Sequence, residues 1–169
     1  MSKTDLETLI RENPEYGGVT QKSSASAIFK GKMIWPSGRM VTLKPVSVYL
    51  KDSESLKDYV QAGAIIDAPL DRVVVSIRKD SKDNVYPVTS LPAGDVAMGI
   101  MYEGLLAKEI TGKVGFRHNA GNLEIYMIEV AFKLEFSKIQ NKDLMAEWGK
   151  NPSPGEMLTF KLSEGHFMF

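Results

Sequence analysis

The chain has 169 residues, of which 43% are hydrophobic and 25% charged, proportions that are typical of globular proteins. Lys and Arg number 21, as do Asp and Glu, so the chain lacks the basic excess that dedicated nucleic-acid-binding proteins usually have. The absence of cysteine excludes disulfides, thiolate metal sites and a cysteine nucleophile. No apolar run approaches the length of a membrane span. We expect a soluble, cytoplasmic protein, or a virion component if the chain is viral.

The first 25 residues are interpreted as an N-terminal arm. Thr4 to Glu12 predicts a short helix, because Thr4 can cap it and Leu6, Leu9 and Ile10 share one face. Pro14 ends that helix, and a Gly-rich, polar stretch follows. We therefore expect an arm over residues 1–25 and one β-rich domain over residues 26–169.

The body of the chain reads mainly as short strands separated by turn residues. Pro45 interrupts the second strand, where a bulge or sheet edge is expected. Residues 96–106 fit either a strand or a helix, and Gly99 and Gly104 favour the strand. The predicted strands are 27–34, 40–50, 70–79 with 85–89 returning antiparallel to it, 96–106, 113–118 and 157–162; the predicted helices are 54–62 and 142–148. The fold class is therefore mainly β (or α+β), an antiparallel β-sandwich or barrel with two or three short helices and the arm.

Residues 123–136 have the most regular pattern in the chain. Apolar side chains alternate from Tyr126 through Phe136, which predicts one continuous apolar face on a strand of about 45 Å. Typical strands are about half that length, so we expect a long hairpin that reaches beyond the domain. Together with the apolar C-terminus it predicts an assembly interface, formed by Tyr126, Ile128, Phe132, Phe136, Phe167 and Phe169.

Recognisable catalytic and cofactor motifs are lacking. The sequence contains no Gly-x-Ser-x-Gly elbow and no phosphate-binding glycine loop. The two histidines have no spacing that requires a shared metal ion. We therefore expect no catalytic residues, no metal and no cofactor.

Two alternative interpretations stay open. Phe29, Lys30, Lys32, Trp35 and Arg39 surround the first predicted hairpin, and aromatic and cationic side chains on an exposed sheet bind single-stranded nucleic acid in barrels of the oligonucleotide-binding type. The second alternative is a small-ligand or active site without a readable motif, for which Arg117, His118 and Glu124 are the candidates.

The preferred hypothesis is a non-enzymatic assembly or binding protein that forms a homo-oligomer or joins a larger protein assembly. The arm, the long hairpin, the zero net charge and the apolar C-terminus are typical of small viral or phage structural or accessory proteins. Nucleic acid is the alternative partner, and no membrane partner is expected.

Overall fold

A computed structural model describes residues 27–53, 56–66, 72–88, 94–102, 104–119, 121–138 and 141–169. The predicted arm and the helix 4–12 lie outside the described residues. The described chain is built mostly of strands, with one short α-helix, α1 (Lys142–Met145), continued by a 3-10 turn at Ala146–Trp148. The strands are β1 (Ile28–Ile34), β2 (Met40–Thr42), β3 (Pro45–Asp52), β4 (Tyr59–Ile66), β5 (Arg72–Arg78), β6 (Asn84–Pro87), β7 (Val96–Tyr102), β8 (Leu105–Leu106), β9 (Lys108–Asn119), β10 (Asn122–Glu135) and β11 (Met157–Met168).

The strands form two antiparallel sheets that pack together as a β-sandwich. Sheet A has the order β2-β1-β11-β10-β9-β6, and sheet B has the order β3-β4-β5-β7-β8. The core lies between them, because alternate residues of each strand point inward. Phe132 and Phe160 from sheet A and Val75 and Met98 from sheet B are among these buried side chains.

The length of β10 predicts a hairpin that reaches beyond the domain, and this prediction is wrong. Strand β10 lies between β9 and β11 and pairs with both along most of its length. Strand β9 in turn pairs with β6 through residues 113–116. The long strands therefore form the centre of sheet A.

Three β-bulges interrupt the central strands of sheet A. Glu109 in β9, Glu129 in β10 and Glu164 in β11 have φ values of 51°, 50° and 56°, and the strand register shifts beside them. A non-glycine residue with such a φ costs on the order of 1 kcal/mol. The bulge at Glu129 also exchanges the two faces of β10: Ile125 and Met127 point inward before it, and Val130 and the alternate residues that follow point inward after it.

The single apolar face predicted for residues 126–136 is therefore wrong. Tyr126 and Ile128 lie on the outer face of sheet A, whereas Val130 and Phe132 lie in the core. An extra residue in one strand changes the facing of every residue beyond it, and the sequence alternation runs across that change.

Two further expectations are corrected. Residues 56–62 form a turn and the start of β4 instead of the predicted helix 54–62. Nearly all of β4 is buried, and a strand buried on both faces shows no alternation by which to recognise it. Strand β6 does not return against β5, because it pairs with β9 in the other sheet.

Other expectations are confirmed. Residues 96–102 and 105–106 are strands, as is 157–168, which extends well past the predicted 157–162. The predicted 40–50 strand is split near Pro45, where the chain passes from sheet A to sheet B. The helix predicted over 142–148 is present as α1 and the 3-10 turn. Within the described ranges, no helix is long and apolar enough to cross a membrane.

The bulge at Glu129 requires glycine at position 112. Gly112 has φ +120°, and a Cβ there would lie 2.7 Å from the Glu129 carbonyl oxygen and 2.8 Å from the Val130 Cα. Both neighbours are backbone atoms, so they cannot rotate away. We expect Gly112→Ala to lower the free energy of unfolding by roughly 2–4 kcal/mol, measured by chemical denaturation.

Gly99→Ala is the matched control for this substitution. Gly99 also lies in a strand, but nothing lies within 4 Å of the position of its Cβ. Its free energy of unfolding should stay within about 1 kcal/mol of the wild type. Equal losses in the two variants would contradict the steric explanation.

Candidate functional site on the outer face of sheet A

A row of directly paired residues crosses the outer face of sheet A. Lys30 in β1 is opposite His166 in β11, and His166 is opposite Tyr126 in β10. Tyr126 is opposite Gly115 in β9, which is opposite Val85 in β6. Five strands thus contribute one residue each to a line that is about 19 Å long at the usual strand spacing.

Two aromatic rings form a ridge in the middle of this row. The rings of Tyr126 and His166 stack with centroids 4.4 Å apart and an interplanar angle of 8°. The guanidinium of Arg117 lies 5.5 Å from the Tyr126 ring centroid. Both side chains of the ring pair are partly exposed, so the pair is accessible to a partner.

A hydrogen-bonded network fixes the polar end of the ridge. The Arg117 Nε donates to the Glu124 Oε2 at 2.7 Å, and the Tyr126 hydroxyl donates to the same oxygen at 2.6 Å. Arg117 also donates to the Tyr126 hydroxyl at 3.1 Å. The hydrogen bonds from Tyr126 and Arg117 lower the pKa of the Glu124 carboxyl below its ordinary value.

Partial burial lowers the pKa of His166 below the ordinary value of a histidine. Desolvation lowers the pKa of the imidazole, and the positive charges of Lys30 and Arg117 add to this effect, while the Glu124 carboxylate opposes it. The Nε2 atom is buried and has no hydrogen-bond partner among the described residues. The environment of the ring pair therefore disfavours the protonated imidazole.

Depressions lie on both sides of the ridge. One, of about 380 Å³, is lined by Val85, Gly115, Tyr126 and Ile128. Gly115 lies on its floor between two apolar side chains: a Cβ there would lie 3.1 Å from the Val85 Cγ2 and 4.0 Å from the Ile128 Cδ1. The other, of about 300 Å³, is lined by Lys30, Lys32, Thr42, Glu164, His166 and their neighbours.

We define the outer patch as the ridge, the Gly115 depression and the polar network beside them. Two of its apolar side chains are well exposed: Val85 at 49% and Ile128 at 38%. Its charged side chains, Arg117 and Glu124, neutralise each other. The outer patch consists of Val85, Gly115, Arg117, Glu124, Tyr126, Ile128 and His166.

The five residues of the nucleic-acid interpretation do not form one surface. Phe29 and Trp35 are buried in the core. Arg39 stacks on the Trp35 ring at 4.8 Å and pairs with Asp143 at 3.2 Å. Lys30 and Lys32 lie on the outer face beside the ridge, where Lys32 pairs with Glu164 at 3.2 Å. The exposed aromatic rings near these lysines are Tyr126 and His166.

The six residues of the interface interpretation also separate. Tyr126 and Ile128 lie in the outer patch, while Phe132, Phe167 and Phe169 are core residues with at most 2% of their surface exposed. Phe136 is half-buried against Trp148, with ring centroids 6.1 Å apart. The C-terminal residues thus complete the fold, because Phe169 exchanges backbone hydrogen bonds with Leu123.

Arg117 and Glu124 contact each other, but His118 does not join them. Adjacent strand residues point to opposite faces, and the backbone N–H and Nδ1 of His118 bond to Asp83 at 2.8 and 3.3 Å. The three-residue ligand site is therefore not assembled. Within the described part of the chain, no group of three or more His, Asp and Glu side chains is placed to hold a metal ion.

The sequence interpretation missed His166, Gly115 and Val85. Val85 and His166 are 40 residues or more from Tyr126 in the sequence, and Gly115 lies on a different strand, β9. Only the strand pairing brings them together. One signal was available: Leu123, Ile125 and Met127 form an apolar series beside Tyr126 and Ile128, which indicates a change of face.

Known proteins offer no comparison for this site. No protein-family model matches the chain, and neither a curated protein nor a solved structure is similar to it.

The lowered pKa of His166 predicts that stability depends on pH below about 6.5. Its folded-state pKa is lowered, so its contribution is complete above the unfolded value of about 6.5 and is lost as pH falls through the folded value. His166→Phe keeps a stacked ring and cannot titrate. We expect the wild type to lose stability relative to His166→Phe as pH falls below about 6.5, measured by urea denaturation across pH.

Tyr126→Phe is the control, because it acts through a different group. It removes the hydroxyl that lowers the pKa of Glu124, whose contribution is complete above about pH 4.5 and lost below it. Its difference from the wild type should therefore change only at the more acidic pH. A pH-independent difference between wild type and His166→Phe would contradict the burial effect.

Proposed function

We propose that this chain is a non-enzymatic assembly protein that associates with other copies of itself through the outer patch. The observation behind the proposal is the pair of exposed apolar side chains, Val85 and Ile128, on either side of a depression floored by Gly115. Exposed apolar side chains around a depression are typical of protein interaction sites. The outer patch combines these apolar side chains with the polar network of Arg117, Glu124 and Tyr126, a mixture that protein interfaces commonly have.

Charge supports association with an identical chain. The formal net charge is zero, so two copies do not repel each other over long range. Within the patch, Arg117 and Glu124 supply one charge of each sign. Identical patches can therefore meet without an excess of either sign.

The size of the patch limits the strength of the association. Five strands and the residues from Glu124 to Ile128 span roughly 19 by 13 Å between backbone positions. With side chains this gives roughly 300–500 Å² per copy, below the roughly 800 Å² per partner of a standard stable interface. We therefore expect a weak dimer, with a dissociation constant in about the micromolar range or above.

Val85→Asp tests the patch against a matched surface valine. Val46 is more exposed, at 69%, and lies on β3 in sheet B. We expect the wild type and Val46→Asp to dimerise as concentration rises, and Val85→Asp to stay monomeric because an aspartate there must be desolvated in the interface. Sedimentation velocity over about a hundred-fold range of concentration measures this.

The outcomes separate clearly. A wild type that stays monomeric throughout would contradict self-association. Equal dimerisation of Val85→Asp and the wild type would place the interface elsewhere. Circular dichroism of both variants checks that they are folded.

A second candidate function is binding of single-stranded nucleic acid at the same ridge. Two partly exposed stacked rings, Tyr126 and His166, lie beside the Lys30 and Lys32 side chains. Bases stack on such rings while cations hold phosphates. The residues differ from those of the sequence interpretation, because Phe29 and Trp35 are buried.

Fluorescence anisotropy of a labelled oligonucleotide at low and high salt tests this second function. If it is correct, Tyr126→Ala should weaken binding by roughly tenfold, as loss of one stacking ring does. Lys30→Gln should weaken it and reduce the salt dependence. No binding by the wild type at low salt, where the electrostatic contribution is largest, would exclude this function.

A further inference from the structure

We infer that two copies pack face to face about a two-fold axis that lies between β9 and β10 and runs parallel to them. This arrangement rests on the proposed self-association and specifies which residues meet. Its basis is that the ridge and the depression occupy adjacent strands, opposite each other in the register: Tyr126 on β10 faces Gly115 on β9.

The axis follows from the geometry of the row. A two-fold rotation about a line parallel to the strands keeps each residue's position along the strand and exchanges its position across the sheet. With the axis between β9 and β10, Tyr126 of each copy is placed over Gly115 of the partner subunit. Sheets pack about 10 Å apart, so a tyrosine ring of one copy reaches the depression between Val85 and Ile128 of the other.

The same rotation pairs the charges of the patch. Arg117 on β9 and Glu124 on β10 are also direct cross-strand partners, one row from Tyr126 and Gly115. The rotation therefore sets Arg117 of each copy over Glu124 of the partner subunit. Each carboxylate then receives a second cation within the interface, and both charge pairs are equivalent, as an isologous interface requires.

The outer strands are matched in the same way. Val85 on β6 and His166 on β11 are separated by the two strands β9 and β10, and the axis lies midway between them. The Val85 methyl groups of one copy are thus placed over the His166 ring of the other. An apolar group covers the neutral imidazole that burial already favours.

An axis across the strands is a poorer alternative. It would place Tyr126 over Tyr126 and Gly115 over Gly115 of the partner subunit, so that the ridges collide and the depressions stay empty. Protein interiors and stable interfaces do not retain such voids. It would also separate Arg117 from its opposite charge in the partner, because the rows along the strand would be reversed.

Mixing two charge-reversed chains tests the arrangement. Arg117→Glu alone gives a patch with two acidic residues, and Glu124→Arg alone gives one with two basic residues, so each should dimerise at least about tenfold more weakly than the wild type. When the two variants are mixed, positions 117 and 124 of the acidic chain lie over positions 124 and 117 of the basic chain, so opposite charges meet at both positions. We expect a heterodimer about as stable as the wild-type dimer, measured by sedimentation velocity with one chain fluorescently labelled.

The controls separate this inference from the proposed function. Charge reversal of either partner of an ion pair beside sheet B, Lys79→Asp or Asp52→Lys, breaks a 3.1 Å contact outside the patch and should leave association unchanged. If the wild type dimerises but the two reversed chains do not rescue each other, the axis is wrong while self-association stands. If the wild type does not dimerise, both proposals fail.

Folding of the reversed chains is checked independently. Each reversal also removes the ion pair between Arg117 and Glu124 within its own chain, so thermal unfolding of each variant is recorded alone. Tyr126→Ala supplies a variant without any charge change, and it should lose dimerisation because the ridge is gone. Unchanged dimerisation of folded Tyr126→Ala would overturn the arrangement.

Discussion

The bulge at Glu129 is the constraint on which the outer surface of this protein depends. Before it, Leu123, Ile125 and Met127 fill the core, and after it the inward series resumes at Val130. This change of face leaves Tyr126 and Ile128 pointing outward from the centre of sheet A. Without the extra residue, one half of β10 would direct its large apolar residues to the wrong side. The bulge in turn depends on Gly112, which leaves room for the Glu129 carbonyl.

The outer patch is rigid because its residues come from several strands. Each residue of the row, from Lys30 to Val85, belongs to a different strand, so its position is fixed by the core packing of five segments. The ring pair, the Arg117–Glu124 network and the Gly115 depression therefore have defined relative positions. A rigid, preformed surface loses little conformational entropy on binding, which favours association even over a small area.

Much of the fold could be predicted from the sequence, because an alternation of period two reports a strand that is buried on one side. Residues 72–78 and 122–135 are the clearest cases. The first residues of β4, 59–62, were included in the predicted helix 54–62 because burial on both sides removes the alternation. The partner of β6 was missed because β7 and β8, which belong to the other sheet, separate β6 from β9 in the sequence, whereas proximity in sequence favours β5. The same limit applies to the candidate site. Arg117 and Glu124 are close together in one hairpin and were identified from the sequence. The position of His166 beside Tyr126 depends on the register of β11, which the sequence does not show.

The edges of sheet A explain why its face is the better surface for assembly. Antiparallel sheets can extend by adding strands at an edge, where backbone groups are unpaired. Here one end strand, β2, has three residues, and the other, β6, has four and ends in Pro87. Short edge strands and proline both hinder such pairing. The central strands, by contrast, have twelve and fourteen residues, and they carry Tyr126 and Ile128 on their outer face. The proposed association through the face would therefore use the longest strands of the sheet, and it would end at two copies, since a two-fold axis buries the same patch on both.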